Sequence, residues 1–163
     1  MMKLLPTLLI FLSIITMTGI ACKKTAPEEV KVEEPAPPPV PKYPSLSNQD
    51  ISLLYSKADK VDIIFYKLPI SVNQEDLASV RNTVLYVTPA SPNITATCQS
   101  IARLSWMAEG TIMQEADVYC DAGCEYLLFM KNNQPFASNA LAPEGVAFFK
   151  NIIAQVEKVK SGQ

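Results

Sequence analysis

The 163-residue chain contains no histidine. Without imidazole it has no Ser-His-Asp or Cys-His catalytic set, no histidine metal ligand and no histidine-based pH switch. Glycine is also scarce, with five residues, and no Gly-rich phosphate loop, strand-turn-helix nucleophile motif or calcium loop is present. The sequence thus excludes several common catalytic architectures, and it predicts no cofactor and no metal ion.

A large charge of either sign is missing as well. Fourteen Lys and Arg residues stand against sixteen Asp and Glu residues, which leaves a formal net charge of −2. Proteins that bind nucleic acids carry a clustered basic excess that neutralises phosphates. We therefore expect no nucleic-acid partner.

The apolar stretch near the amino terminus is too short to span a bilayer. It runs from Leu4 to Met17, follows the basic residue Lys3 and is interrupted by Pro6, whereas a transmembrane helix needs about 20 apolar residues. Small residues come next. This layout is typical of an export signal that a peptidase removes, so residues 1–21 are predicted to be a signal peptide.

Residues 19–22, with the sequence Gly-Ile-Ala-Cys, resemble the lipobox of bacterial lipoprotein precursors, in which the first position is more often leucine. The resemblance implies cleavage before Cys22, transfer of a diacylglycerol to its thiol and acylation of its new amino group. Two or more acyl chains hold a protein stably on a bilayer. Membrane lipid is thus the predicted partner of Cys22. The alternative is secretion with cleavage after Ala21, which leaves the Cys22 thiol available to form a disulfide.

The residue after the anchor bears on the location. Lys23 rather than aspartate follows Cys22, which resembles the pattern of lipoproteins that are not retained in the inner membrane. The predicted location is the cell envelope, by a lipid anchor in the outer membrane, on its periplasmic or surface face.

Residues 22–44 are predicted to be an anchored linker. From Lys23 to Pro44 the chain holds seven of its thirteen prolines, four Glu, four Lys and no aromatic residue before Tyr43. Such a composition cannot bury enough apolar surface to fold. At about 3.1 Å per residue, these positions would span up to roughly 70 Å. The linker is either a spacer that lets the domain reach a partner or a passive tether.

Residues 45–163 have the length and patterning of one α+β domain. A capped helix is predicted after Ser47, a strand over 61–68, a turn or short helix over 73–76, a second strand over 83–88 and a closing helix from Pro143. Between the last strand and the closing helix, three turn signals predict a four-stranded meander. The fold expected is an antiparallel sheet of five or six strands, with N- and C-terminal helices packed on one face.

The turns of the meander fix a register. Two three-residue turns, at 108–110 and 121–123, are predicted because glycine is the third residue of each. The Asn-Asn pair at 132–133 suits a two-residue hairpin turn. Three-residue breaks place Trp106 opposite Ile112 and Val118 opposite Tyr126. The face predicted to be buried then comprises Ala102, Leu104, Trp106, Ile112, Ala116, Val118, Tyr126, Leu128, Met130, Ala137 and Leu141.

Three cysteines lie in the predicted domain: Cys98, Cys120 and Cys124. The register gathers them at one end of the buried face. In an oxidising compartment, one disulfide and one buried free thiol are expected. We predict that Cys98 pairs with Cys124, with Cys120 as the alternative partner. A three-thiolate site for Cu(I) or Zn²⁺ is the competing hypothesis, although no fourth ligand is evident.

The opposite face of the meander is predicted to be both acidic and apolar. Five acidic residues and no basic one lie between Arg103 and Lys131. The register places on this face Met113, Glu115, Asp117, Tyr119, Glu125, Leu127 and Phe129. Three interpretations stay open: a solvated or covered face, a surface on which acids steer a partner and aromatic residues anchor it, or a hydrolase site with Glu115 and Asp117 as its carboxylates.

The sequence therefore predicts a non-enzymatic envelope lipoprotein whose domain binds another envelope protein or supports an assembly. An envelope hydrolase that uses Glu115 and Asp117 is one alternative. A metal-handling lipoprotein that uses the three thiols is the other.

Overall fold

The computed structural model describes residues 43–162, so the predicted signal peptide, Cys22 and the linker up to residue 42 lie outside the described residues. The elements in chain order are α1 (Asn48–Lys57), β1 (Lys60–Phe65), β2 (Ser71–Gln74), α2 (Leu77–Leu85), β3 (Ala102–Ala108), β4 (Thr111–Asp121), β5 (Cys124–Lys131), β6 (Gln134–Ala140) and α3 (Pro143–Ser161). The strands form one antiparallel sheet in the order β2-β1-β3-β4-β5-β6. The predicted α+β class is confirmed.

The first and last helices begin where their sequence signals predict. At the start of α1, the Ser47 hydroxyl accepts a hydrogen bond from the Asp50 backbone N–H at 3.1 Å, which satisfies one of the free donors of the first turn. Pro143 opens α3, where its missing N–H costs nothing. Gly162 ends that helix in the left-handed conformation, with φ at 72°.

The prediction of a strand over residues 83–88 is wrong, because residues 77–85 form α2. The Asp76 carboxylate caps this helix by accepting a hydrogen bond from the Ser79 N–H at 2.9 Å. Val80, Thr83 and Val84 are buried at helical spacing, so packing overrides the strand preference of their β-branched side chains. The predicted turn at 73–76 is instead the end of β2 and the helix cap.

The predicted register of the meander is also wrong, because its first two turns have two residues rather than three. Ala108 pairs with Thr111 and Asp121 pairs with Cys124. The third turn is the two-residue hairpin that was predicted, with Asn132 and Asn133 at φ of 52° and 59°. A shift of one residue turns every side chain of a strand to the other face, so β5 is inverted relative to the prediction.

Two corrections to the predicted core follow. Leu127 and Phe129 are fully buried in the hydrophobic core, whereas Tyr126, Leu128 and Met130 face the other side of the sheet. Ile112 is 52% exposed. It lies next to a β-bulge between β3 and β4, where the register shifts between Trp106 and Met107, and a bulge changes which face the neighbouring side chains point to.

The core lies between one face of the sheet and the three helices. Trp106 is at its centre, fully buried, with its indole stacked on Phe129 at 6.2 Å between ring centroids. The indole Nε1–H donates to the Thr83 hydroxyl of α2 at 2.8 Å. Phe149 attaches α3 by an edge contact with Phe65 of β1 at 6.4 Å. Within residues 43–162, no helix combines the length and the apolarity needed to cross a membrane.

The two edges of the sheet differ. Along β6, the Ser138 N–H donates to the Pro44 carbonyl and the Ala140 N–H donates to the Ala90 carbonyl, each at 2.8 Å. The buried side chain of Asn139 accepts from the Leu46 N–H at 2.8 Å and donates to the Thr88 carbonyl at 2.7 Å. The edge of β6 is therefore closed by the chain itself. The outer edge of β2 has no strand beside it among the described residues.

Candidate functional site: the open face of the sheet

The sheet face turned away from the helices is called here the open face. Its side chains alternate with those of the core along each strand, and they include Asp62, Ile64, Arg103, Ser105, Glu115, Asp117, Tyr119, Tyr126 and Leu128. Tyr66, just after β1, joins them. Three of the seven residues predicted for a partner surface lie here, namely Glu115, Asp117 and Tyr119.

The other four predicted surface residues lie elsewhere. Leu127 and Phe129 belong to the core, and Met113 packs against it. Glu125 lies on the helix side of β5, where its carboxylate forms an exposed ion pair with Lys150 of α3 at 3.4 Å. The one-residue shift of β5 explains why Glu125, Leu127 and Phe129 lie on the other face from the one predicted. The bulge before Gln114 explains the position of Met113.

A polar network occupies the middle of the open face. Arg103 of β3 pairs with Asp117 across the strands, and its Nε–H donates to the Asp117 carboxylate at 2.7 Å. The hydroxyl of Tyr66 donates to the same carboxylate oxygen at 2.7 Å. A second nitrogen of Arg103 lies 3.7 Å from the Glu115 carboxylate. Two of the five acidic residues of this region, Glu115 and Asp117, therefore pair with an arginine of the neighbouring strand.

The network affects the ionisation of its members. The hydrogen bond that Arg103 donates to Asp117 raises the pKa of Arg103 further above its ordinary value. Burial raises the pKa of Tyr66, and its hydrogen bond to Asp117 adds to that shift. At neutral pH, Tyr66 is thus a neutral donor and Arg103 a fixed cation. Both side chains are held in one geometry by a shared carboxylate.

The part of the open face around Tyr66 is exposed. The side chain of Ile64 is 54% exposed and that of Tyr66 is 48% exposed. Protein interfaces are enriched in aromatic residues and arginine, which often anchor the partner. The exposed Ile64 and Tyr66 beside the Arg103–Asp117 ion pair resemble such anchors. The predicted surface residues do not include Ile64, Tyr66 and Arg103. Nothing in the sequence pattern indicates that β1 lies beside β3.

The part of the open face near β5 is covered. Tyr126 is 2% exposed and stacks on Tyr119 with 4.4 Å between ring centroids. Burial raises the pKa of Tyr126 to about 12. The segment between α2 and β3 is tied down on both sides of this stack. Ala90 bonds to Ala140, which pairs with Tyr126, and Cys98 is bonded to Cys124.

The predicted pairing of Cys98 with Cys124 is confirmed, with 5.7 Å between their Cα atoms. The predicted cluster of three thiols is wrong. Because Asp121 rather than Cys120 pairs with Cys124, Cys120 faces the helices and lies buried, with its sulfur 3.6 Å from the Val146 carbonyl. The disulfide lies on the open side. Within the described range, no three His, Cys, Asp or Glu side chains are grouped to hold a metal ion.

Cys120 is expected to resist thiol reagents in the folded protein. Burial raises its pKa to about 11, so on the order of one molecule in a thousand carries the thiolate at pH 8. For a chain that begins at Lys23, we expect Ellman's reagent to label less than a tenth of one thiol per chain natively and one thiol per chain in urea. A Cys120→Ala chain should label in neither condition. Rapid stoichiometric labelling of the native protein would contradict the buried position.

Comparison with protein-family models, with curated proteins and with solved structures gives no match for this chain. The functional proposal therefore rests on the signal at residues 19–22 and on the geometry of the open face.

Proposed function

We propose that this protein is a lipoprotein of the bacterial cell envelope, anchored to the outer membrane through acylated Cys22, whose domain binds another envelope protein through the open face without catalysing a reaction. The main support for a binding role is that the side chains of Ile64 and Tyr66 are exposed next to the Arg103–Asp117 ion pair. An uncovered face of this kind is where antiparallel sheets accept partners.

The charges on this face favour a partner with a basic rim around an apolar contact. Three carboxylates lie on or beside it, at Asp62, Glu115 and Asp117, against the two cations Lys60 and Arg103. The small acidic excess steers association, while Ile64 and Tyr66 supply the desolvated centre that provides most of the binding energy.

Two features disfavour the hydrolase alternative. Glu115 and Asp117 share one guanidinium, an arrangement that suits a structural pair better than a proton donor and a nucleophile. Glu115 lines a cleft of about 410 Å³, and Asp117 does not. The two carboxylates therefore do not converge on one space for a substrate. The thiolate alternative is disfavoured by the position of Cys120 on the other face of the sheet from the disulfide.

The anchor and the binding surface are tested separately. Intact-mass measurement should show a product that begins at Cys22 with added acyl mass and fractionates with membranes, whereas Cys22→Ala should release the chain in soluble form. Soluble wild type without acyl mass would overturn the anchor.

The binding surface is tested with a photo-crosslinking residue next to Ile64. Ile64→Asp should reduce crosslinking to an envelope protein at least tenfold. The matched control is Leu85→Asp, because Leu85 is 61% exposed on α2, outside the sheet. It should leave crosslinking unchanged. Equal effects of the two variants would place the binding site elsewhere.

A further inference from the structure

The outer edge of β2 presents unused backbone groups. The Phe65 N–H donates to the Ile70 carbonyl, and Val72 pairs with Ile63. Because the direction of backbone groups alternates along a strand, the N–H and C=O groups of Ile70, Val72 and Gln74 point toward β1, and those of Ser71 and Asn73 point outward. Among residues 43–162, no backbone group bonds to these outward groups.

An apolar groove runs beside this edge on the helix side of the sheet. It has a volume of about 670 Å³ and lies between the β1–β2 hairpin and the second half of α3. Its apolar lining consists of Pro69, Ile70, Val72, Phe148, Ile152, Val156 and Val159. Val159 is 79% exposed. The free strand edge and the groove are separate features, and they adjoin along Val72.

We infer that this edge and this groove together bind a second copy of the chain. Two β2 strands pair antiparallel about a two-fold axis that passes between their Val72 residues. Ser71 of each copy then lies opposite Asn73 of the other, and each such pair exchanges two backbone hydrogen bonds. Every outward group of the strand is used, and the two sheets become one sheet of twelve strands.

The same axis brings the two grooves together. In an antiparallel pair, the axis is perpendicular to the sheet, so both helix layers lie on one side of it. The two α3 helices then run antiparallel beside each other, with Val159 of each copy directed at the groove of the other. The Val72 side chains meet on this side at about 4.5 Å between Cα atoms, the spacing of a non-hydrogen-bonded pair.

The charges permit this pairing. Ser71, Val72, Asn73 and Gln74 are uncharged, whereas sheet edges that must stay single are usually protected by lysine, proline or a bulge. In the proposed register, Glu75 of one copy lies beside the turn that carries Lys67 of the other. Glu75 is paired with Lys60 of its own chain and the Lys67 ammonium donates to Gln99, so no unpaired like charges oppose each other along the strand pair. Lys160 is the one charged residue that lines the groove, and it lies at the end of α3.

The interface is small. The strand edge spans about 13 Å, and the lining part of α3 spans about 18 Å. Together they bury less than roughly 1,200 Å² in total, the size of weak complexes. We therefore expect a reversible dimer with a Kd on the order of 100 µM. Molecules confined to one membrane surface would favour it further, and only that point rests on the proposed anchor.

The test uses a chain that begins at Lys23, which contains the whole core. Sedimentation velocity from 10 µM to 1 mM should show a reversible monomer-dimer equilibrium. Hydrogen exchange of the Ser71 and Asn73 amides should slow about fourfold across this range, because a Kd of about 100 µM lowers the monomeric share of chains from about 85% to about 20%. The Ile64 amide, which faces β3, should not change. Ser71→Pro removes an outward donor at a position where an edge strand tolerates proline. It should raise the Kd at least tenfold, and Ser71→Ala should leave the Kd unchanged.

Val159→Glu is a second variant that leaves the strand intact, and it should also raise the Kd at least tenfold. A monomer at 1 mM would overturn the proposal. A dimer whose Ser71 and Asn73 amides exchange at the same rate at all concentrations would overturn it too, because association would then use another surface. Binding of an unrelated extended peptide by a chain that stays monomeric would assign the edge to a different partner.

Discussion

Replacing Trp106 by alanine is expected to lower the free energy of unfolding by about 4 kcal/mol, within the range for removing a large buried aromatic side chain. Trp106 is fully buried, stacks on Phe129 and donates to the Thr83 hydroxyl. Its removal leaves a cavity between the sheet and α2. Domains are stable by about 5–15 kcal/mol, so this single change removes a large part of the total.

A second variant distinguishes the contribution of the Trp106 hydrogen bond to stability from the contribution of its packing. Trp106→Phe keeps an aromatic ring but loses the indole donor, and it should cost about 1–2 kcal/mol. Thr83→Val removes the other partner. If the bond is the shared cause, the double variant should cost less than the sum of the two single variants.

Urea unfolding followed by far-ultraviolet circular dichroism gives the measurement, because Trp106 is the single tryptophan and its fluorescence is lost in three of the four variants. A cost below 1 kcal/mol for Trp106→Ala would mean that the core is not organised around this side chain.

Removing the Cys98–Cys124 bond by changing both residues to alanine is expected to cost about 3.5 kcal/mol, as the chain-entropy model gives for a loop of this length. The two cysteines are 26 positions apart in the sequence. The bond closes the segment that lies against the Tyr119–Tyr126 stack. Its loss should therefore also open the covered part of the open face.

The opening of the covered part of the open face is measured separately, through the ionisation of Tyr126. Burial holds the pKa of Tyr126 at about 12. Because the folded pKa is raised, its contribution to stability is complete below pH 10 and is lost as pH rises from 10 to about 12. In the double variant, absorbance titration at 295 nm should show one more tyrosine ionising near pH 10 than in the wild type.

Cys120→Ala is the matched control, because it removes a sulfur but no cross-link. It should leave both the titration and the loop-closure contribution unchanged. A double variant as stable as the wild type would show that the segment is held by its backbone bonds alone.

The sequence predicts α1 and α3 well because their ends carry chemical signals. Ser47 and Asp50 form a cap, Pro143 suits the first turn of a helix, and Gly162 suits the last. α2 was missed because Val80, Thr83, Val84 and Val87 are β-branched and favour strands locally. Asp76 is the residue that favours a helix here, because its carboxylate caps the first turn by accepting from the Ser79 N–H.

The candidate site was harder to predict because it depends on register. Whether Leu127 or Leu128 faces the core is decided by one residue in the turn at 122–123, and glycine suits two-residue and three-residue turns alike. The Arg103–Asp117–Tyr66 network is harder to predict than the register. It joins residues of β3, β4 and the end of β1, and no local pattern in the sequence reveals the order of these strands in the sheet. Within the candidate site, the pairing of Cys98 with Cys124 is correct although the register that placed the three thiols together is wrong.

The closed edge of β6 has a mechanical consequence. The chain enters the domain at Tyr43 and is bound at once to β6, through the Pro44 carbonyl and the Leu46 N–H. Tension applied to the chain ahead of Tyr43 is therefore borne first by these few hydrogen bonds at the rim of the sheet. Because Leu46 is itself buried in the core, a pull would break the bond at Pro44 first and would disturb the interior around Trp106 only after Leu46 had been drawn out.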